Sequence, residues 1–124
     1  MCGIVAATSH RNVSIDLFEI LRMLDYRGYD SAGISIVNEN GQFEFHKKQG
    51  NLDRLANALD MTPLNGCAGV GHTRWAAHGA PSDSNAHPHF SKTRRAAVVH
   101  NGIIENYREL YVELSKATIR PISE

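Results

Sequence analysis

The cysteine at the second position is the residue of this chain best suited by type and place to covalent chemistry. Cys2 directly follows Met1 and opens the apolar run Cys2-Gly3-Ile4-Val5-Ala6-Ala7. Removal of Met1, which a small following residue permits, would give Cys2 both a thiol and a free α-amine. A thiolate nucleophile needs a nearby base, and an α-amine with a pKa of about 7.7–8.0 is partly a free base at neutral pH. Cys2 is therefore a candidate nucleophile, and an ordinary small buried side chain is the alternative.

Four further segments combine histidine, arginine, asparagine and glycine in ways that packing alone does not require. They are Tyr26-Arg27-Gly28-Tyr29-Asp30-Ser31-Ala32-Gly33, His72-Thr73-Arg74-Trp75-Ala76-Ala77-His78-Gly79, Asn85-Ala86-His87-Pro88-His89 and His100-Asn101-Gly102-Ile103-Ile104-Glu105-Asn106. The guanidinium of Arg74 can form two parallel hydrogen bonds to a carboxylate. Asn101-Gly102 offers an amide and a backbone N–H to an oxyanion, although this dipeptide is also a common turn.

Composition argues against several other classes of function. The 124 residues suit one domain, and 13 basic and 13 acidic residues give no net charge, so no basic excess indicates nucleic acid binding. No run approaches the ~18 apolar residues of a membrane span, and no secretory signal is present. The two cysteines, Cys2 and Cys67, do not indicate a disulfide framework, and we expect a reducing cytoplasm. The histidines match no zinc spacing, so no metal is expected; a small metal-binding module is the alternative.

Strand and helix patterns alternate along the chain. Short apolar or alternating runs predict strands over 3–8, 31–38, 42–48, 67–73 and 96–100. Apolar residues repeating every 3.6 residues predict helices over 14–25, from 51 and from 106. The turn Asn38-Glu39-Asn40-Gly41 joins the second and third strands as a hairpin. Each helix has one apolar face, so each is expected to cover a sheet. The residues 74–92 form a polar stretch that is long for a loop, and such loops are usually functional or disordered.

Several local details are also predicted. Ser14 is expected to cap the first helix and Asn51 the second, while Asn106 and Glu109 match a capping box at the third. Cys67 is expected to be a buried strand residue. The apolar face of the third helix consists of Tyr107, Leu110, Tyr111 and Leu114.

The four segments, together with Cys2-Gly3-Ile4-Val5, resemble the glutaminase domain of the class II (N-terminal nucleophile) glutamine amidotransferases. The five motifs occur in the same order between Cys2 and about Leu114. The resemblance implies an α+β fold, a four-layer αββα sandwich of the Ntn-hydrolase type, of which residues 1–124 would be an N-terminal portion. Residues 26–33 and His78-Gly79 favour the branch of the class whose ammonia acceptor is fructose 6-phosphate. An amidophosphoribosyltransferase-like enzyme with another acceptor is the alternative.

The resemblance also implies a reaction. After loss of Met1, Cys2 would attack the side-chain amide of L-glutamine, ammonia would leave, and water would resolve the thioester to glutamate. Asn101 and Gly102 would donate hydrogen bonds to the oxyanion. The residues implied to bind glutamine are Arg74, Trp75 and His78, with Trp75 on a loop that closes over the substrate. Those implied to support the site are Arg27, Asp30 and His87. No cofactor and no metal are implied.

The sequence departs from the family at two places. Ala77 stands where the family usually has a threonine whose hydroxyl contacts glutamine, a loss of about 0.5–1.5 kcal/mol. The chain also ends at Ser123-Glu124, before the family's aspartate for the glutamine α-amine and before the isomerase domain. We therefore expect this polypeptide alone to be marginal, aggregation-prone or inactive. Fructose 6-phosphate would be reached only through the absent isomerase domain, and the intact enzyme would self-associate. A catalytically silent interaction domain is the alternative.

Overall fold

The chain folds around a four-stranded antiparallel sheet with two helices on one face. The computed structural model describes residues 2–76 and 78–123. The sheet has the strand order β1-β4-β2-β3, with β1 (Gly3–Thr8), β2 (Ser31–Val37), β3 (Phe43–Gln49) and β4 (Ala68–Arg74). The helices are α1 (Ser14–Met23), α2 (Leu52–Met61) and α3 (Tyr107–Lys116). A separate two-stranded sheet pairs β5 (His89–Phe90) with β6 (Ala97–Val98).

The hydrophobic core lies between the four-stranded sheet and helices α1 and α2. Leu17 and Leu21 of α1, Ile34 of β2 and Leu55 of α2 are fully buried there. Close packing of α1 depends on the absence of a side chain at Gly71 of β4, because an added Cβ would lie 2.9 Å from Leu21 Cδ1. The periodicity that predicted these helices thus marks the faces that meet the sheet.

The opposite face of the sheet is covered by the segment that leads into β5. The Phe90 ring lies 4.5 Å from the Phe45 ring and 5.8 Å from the Phe43 ring, centroid to centroid. At Gly33 of β2, an added Cβ would stand 2.1 Å from the carbonyl oxygen of His87. Glycine at this position therefore lets the loop backbone rest directly on the sheet.

The predicted strands and helices occur in the predicted order, and β1 has the predicted bounds. The short strand β5 lies within residues 74–92, which were predicted to form a loop. The hairpin of β2 and β3 is also confirmed. Two expectations about burial are wrong. Cys67 is exposed and precedes β4, and α3 covers no sheet, since none of its residues is buried. No helix within residues 2–76 and 78–123 has both the length and the apolar character needed to cross a bilayer.

The predicted helix caps are wrong in detail. Ser14 is the first residue of α1, and the helix receives its side-chain bond from further upstream: Asn12 Oδ1 accepts from Ser14 N at 3.1 Å. The same oxygen accepts from Gly66 N at 3.2 Å, and Asn12 Nδ2 donates to Leu64 O at 3.2 Å. Asn51 and Asn106 occupy the cap positions without a side-chain capping bond.

Replacing Asn12 with alanine is expected to lower the free energy of unfolding by about 1–2 kcal/mol, because it removes one helix-capping bond and two bonds to the 64–66 segment. Urea unfolding followed by circular dichroism measures the change. The matched control is Asn51→Ala, which removes only a bond to Asp53 and should cost less than about 0.5 kcal/mol. Equal losses for the two variants would contradict the assignment.

Candidate active site

A cleft of about 650 Å³ gathers most of the residues that the sequence singles out. It lies where the start of β1 and the end of β4 meet the loops after β4 and β6. Seven of the nine predicted site residues line it: Cys2, Arg74, Trp75, His78, His87, Asn101 and Gly102. Arg27 and Asp30 form hydrogen bonds to residues that line the cleft, as described below.

The backbone at Cys2 is fixed from three directions. The amide N–H of Gly3 donates to Thr73 Oγ1 at 3.1 Å, which ties the start of β1 to β4. The carbonyl oxygen of Cys2 accepts from Arg27 Nε at 3.3 Å and from Asn101 Nδ2 at 3.1 Å. Residues far apart in the sequence therefore converge on the carbonyl of the candidate nucleophile.

The sulfur of Cys2 points toward the end of β4. Its Sγ accepts from the backbone N–H of Trp75 at 3.3 Å and lies 3.7 Å from the Trp75 carbonyl oxygen. The Trp75 ring meets the Tyr29 ring edge-on at 5.2 Å and is 47% exposed. The Trp75 backbone thus fixes the position of the sulfur, and the half-exposed Trp75 side chain forms part of the cleft wall.

Arg74 organises the loop that follows it. Its side chain is mostly buried, with the whole residue 8% exposed. The guanidinium donates to the carbonyl oxygens of His78, Gly79 (3.2 Å) and Ala80 (3.5 Å). Both terminal nitrogens of Arg74 therefore already donate to the loop, and the carboxylate-binding role stays a prediction. A carboxylate bound there would have to share the guanidinium with these carbonyls.

Asp30 joins the segment before β2 to the residues after β4. Its Oδ2 accepts from Ala76 N at 2.6 Å, and its own N–H donates to Arg74 O at 3.0 Å. Asp30 thus holds the backbone on either side of Trp75, through its carboxylate at Ala76 and its own N–H at Arg74. Ala77, the position of the expected threonine, lies outside the described residues, as do Met1 and Glu124.

Three histidines that line the cleft form a cluster, in which two rings are stacked and the third meets one of them edge-on. The His87 ring lies 4.3 Å from the His72 ring at an interplanar angle of 24° and 4.3 Å from the His89 ring at 67°. Burial, followed by nearby positive charge, lowers the pKa of His72 and His89 to about 4 and that of His87 to about 3. No group of three or more His, Cys, Asp or Glu side chains among the described residues has an arrangement that could hold a metal ion.

Sequence reasoning gave His72 and His89 no role at the site. Both line the cleft. A usable signal was present, because His72 and Arg74 are two residues apart on β4, and alternation places them on the same face of the strand. Tyr107 also lines the cleft, with its ring 5.8 Å from that of His78. It had been assigned only to the apolar face of α3.

The lowered pKa values predict a fold that weakens in mild acid. Well above pH 6.5, the ordinary histidine pKa, these rings are neutral in both the folded and the unfolded state. As the pH falls below 6.5, these histidines bind protons in the unfolded chain but not in the folded chain. The free energy of unfolding therefore falls between about pH 6.5 and 4. Urea unfolding at about pH 7 and pH 5 measures this, before most carboxylates titrate. His72→Phe should reduce the slope, whereas His10→Gln, at an exposed position, should leave it unchanged. A slope that His72→Phe does not alter would contradict the prediction.

Comparison with known proteins identifies the relatives of this chain. No protein-family model matches it. A curated protein from Pseudomonas putida is 52% identical over 114 residues, 92% of this chain and 18% of the relative. One from Thermus thermophilus is 54% identical over 89% of this chain, and one from Shigella flexneri is 48% identical over all 124 residues of this chain. All three are named glutamine–fructose-6-phosphate aminotransferase (isomerizing). The chain is related in sequence to these aminotransferases.

The resemblance predicted from the five motifs is thereby confirmed. The chain spans about a fifth of the length of the aminotransferases it matches, 18–20%. A solved structure of the glutamine phosphoribosylpyrophosphate amidotransferase from B. subtilis superposes with a TM-score of 0.77, covering 94% of this chain and 25% of that one at 22% identity. This likeness confirms the predicted α+β fold of the Ntn-hydrolase type.

Proposed function

We propose that this chain hydrolyses the side-chain amide of L-glutamine and releases ammonia, as an N-terminal portion of a class II glutaminase domain. The proposal replaces the expectation of an inactive polypeptide, because one cleft already gathers seven of the nine predicted site residues. The contact between Asn101 and Cys2 carries the proposal. These residues are 99 positions apart, yet Asn101 Nδ2 lies 3.1 Å from the Cys2 carbonyl oxygen within a cleft of about 650 Å³. A candidate nucleophile and a candidate oxyanion donor therefore share one substrate-sized space.

The reaction would begin with thioester formation. Loss of Met1 frees the α-amine of Cys2, which takes the thiol proton, and the sulfur attacks the amide carbon of the glutamine side chain. Asn101 Nδ2 and the Gly102 N–H donate to the resulting oxyanion, each contributing about 2.7–4 kcal/mol. Asn101 must share or leave its bond to the Cys2 carbonyl to do so. Cleavage of the carbon–nitrogen bond then releases ammonia, which takes the proton from the α-ammonium.

Hydrolysis of the thioester would complete the cycle. The α-amine, again neutral, takes a proton from water, and the hydroxide attacks the thioester carbonyl. The carbon–sulfur bond breaks, glutamate leaves, and the thiolate takes the proton back from the α-ammonium to restore the thiol. Arg74, Trp75 and His78 hold glutamine in this scheme, with the loop that Arg74 already contacts serving as a lid that excludes water.

Fructose 6-phosphate is the proposed acceptor of the ammonia. Curated relatives named for that substrate are 45–54% identical to this chain, whereas the amidotransferase of similar structure is 22% identical. In this proposal the acceptor binds to an isomerase domain outside residues 1–124, and the complete enzyme is a cytoplasmic homo-oligomer without a cofactor. Nucleic acid and membranes have no part in the proposal.

Intact-protein mass spectrometry with the glutamine analogue 6-diazo-5-oxo-norleucine tests the proposal. We expect a mass without Met1 and a single adduct that peptide mapping places on Cys2. Protein that has lost Met1 yet takes up no analogue would contradict glutamine hydrolysis by this chain. Retained Met1 would contradict it equally, because the α-amine would be part of a peptide bond.

Replacing Asn101 with alanine is expected to slow adduct formation by about a hundredfold, because one oxyanion donor is removed. The rate constant at saturating analogue, followed by mass spectrometry, measures the effect. His46→Gln is a control, since its ring contacts Thr62 O at 2.7 Å, away from the cleft. An Asn101→Ala protein that is labelled at the parent rate would remove Asn101 from the proposed mechanism.

A further inference from the structure

His72 has a buried imidazole to which the proposed reaction gives no role. It is 1% exposed at the cleft end of β4; neither ring nitrogen makes a well-aligned hydrogen bond, and the backbone of His100 is near enough to act on the pKa of the ring. A buried polar group without a well-aligned hydrogen bond costs about 1–3 kcal/mol, so its presence calls for an explanation. The ring meets its neighbour His87 face to face at 4.3 Å.

His87 connects this buried ring to the loop that carries the oxyanion donors. Its Nδ1 accepts a hydrogen bond from the backbone N–H of His100 at 3.3 Å. His100 directly precedes Asn101 and Gly102, both of which line the cleft. A path of contacts thus runs from β4 through the two stacked rings to the backbone next to the proposed donors.

We propose that His72 and His87 are positioning residues that hold the His100 backbone and so aim Asn101 and Gly102 at the reacting carbonyl. The His72 ring fixes the plane of His87 by stacking, and His87 Nδ1 then fixes the His100 amide. This proposal rests on the proposed function of Asn101 and Gly102. It does not require either imidazole to touch glutamine.

The hydrogen bond defines the protonation state of His87. An Nδ1 that accepts from an N–H carries no proton, so the neutral ring has its proton on Nε2. Adding a second proton at Nδ1 would remove the acceptor. The titratable and charged groups that face this ring are His72 and Arg74 of β4, Lys47 of β3, His89 of β5 and the adjoining His100. Burial and these neighbours lower the pKa of His87 to about 3, which keeps the ring neutral and the contact intact near neutral pH.

Paired variants of the full 124-residue chain separate positioning from mere packing. Asparagine at position 87 places its Oδ1 near the site of Nδ1 and keeps an acceptor, whereas His87→Phe keeps a flat ring and removes the acceptor. At position 72, His72→Phe preserves the stacking surface and His72→Ala removes it. We therefore expect His87→Asn and His72→Phe to behave like the parent protein, and His87→Phe and His72→Ala to misplace the donors.

Two measurements decide the outcome. In kinetics of Cys2 labelling by 6-diazo-5-oxo-norleucine, His87→Phe should lower the saturating rate constant roughly ten- to a hundredfold and change the half-saturating concentration less than about threefold. Nitrogen-15 spectra should show the parent His87 protonated on Nε2 and not on Nδ1. Amide exchange at His100 should be about tenfold faster in His87→Phe than in His87→Asn, as expected when one hydrogen bond is lost.

The two readouts keep this proposal distinct from the proposed function. A parent chain that takes up no analogue would overturn glutamine hydrolysis, while the nitrogen-15 spectra and His100 exchange would still decide whether His87 holds the loop. A proton on Nδ1 of His87, equal His100 exchange in the two position-87 variants, or unchanged labelling by His87→Phe would overturn the positioning role.

Discussion

Replacement of Cys2 with serine is expected to reduce ammonia release from glutamine by at least about a thousandfold, because removing a covalent nucleophile typically costs that much or more. The sulfur lies in the cleft and accepts from Trp75 N, so the hydroxyl of serine would occupy nearly the same place with far weaker nucleophilicity. A coupled assay for glutamate and ammonia, run with the parent chain under the same conditions, measures the ratio.

Cys67→Ser provides the matched control for this prediction. Cys67 is the other cysteine of the chain and is more exposed than Cys2. It precedes the opposite end of β4 and lines a different cavity, near Asn38 and Glu44. Ammonia release should therefore survive its replacement. Loss of activity in Cys67→Ser with retention in Cys2→Ser would reverse the assignment of the nucleophile.

Substituting alanine for Gly33 is expected to lower the free energy of unfolding by about 3 kcal/mol, at the upper end of the usual cost of overpacking. The added methyl would stand 2.1 Å from His87 O and 3.0 Å from His46 O. Both neighbours are backbone atoms, so relief requires the loop or a sheet strand to move. Urea unfolding followed by tryptophan fluorescence measures the loss, since Trp75 lies in the same cleft as His87.

Gly41→Ala is the contrasting control. Gly41 has a φ of +73° in the hairpin turn, and an added Cβ would meet nothing within 4 Å. Its cost is the left-handed backbone alone, about 1 kcal/mol. If Gly33→Ala were no more damaging than Gly41→Ala, the close contact between sheet and loop would not contribute to stability as described.

The sequence predicted those parts of the fold that depend on local periodicity. The bounds of β1 follow from a short apolar run, and the burial of Leu17 and Leu21 in α1 follows from side chains that repeat every 3.6 residues. Cys67 was misjudged because an apolar neighbourhood in sequence, Gly66 to Val70, does not reveal that the residue precedes the strand and faces solvent. The capping residue of α1 was predicted wrongly because the bond to the first turn comes from Asn12, which lies before the helix. The position of the Asn12 side chain also depends on its contacts with Leu64 and Gly66.

The sequence predicted most residues of the candidate site but not the contacts between them. Motif resemblance brought Cys2, Arg74 and Asn101 together, and the cleft contains all three. No pattern along the chain could show that Arg74 donates to the loop carbonyls or that His72 stacks on His87, since both contacts depend on tertiary packing. The expected apolar face of α3 is present, but it is exposed rather than packed on a sheet. Amphipathic spacing identifies a face and does not identify what covers it.

Three hydrogen bonds hold the backbone at Cys2, so the conformational entropy of this segment is lost during folding and not during substrate binding. The first residues of a chain are ordinarily poorly ordered, and fixing one residue's backbone costs roughly 1–2 kcal/mol. Here Thr73, Arg27 and Asn101 impose that ordering through hydrogen bonds made as the chain folds. In the proposed reaction, glutamine entering the cleft meets a sulfur whose backbone is already confined, so its binding energy is not consumed in restraining a free chain end.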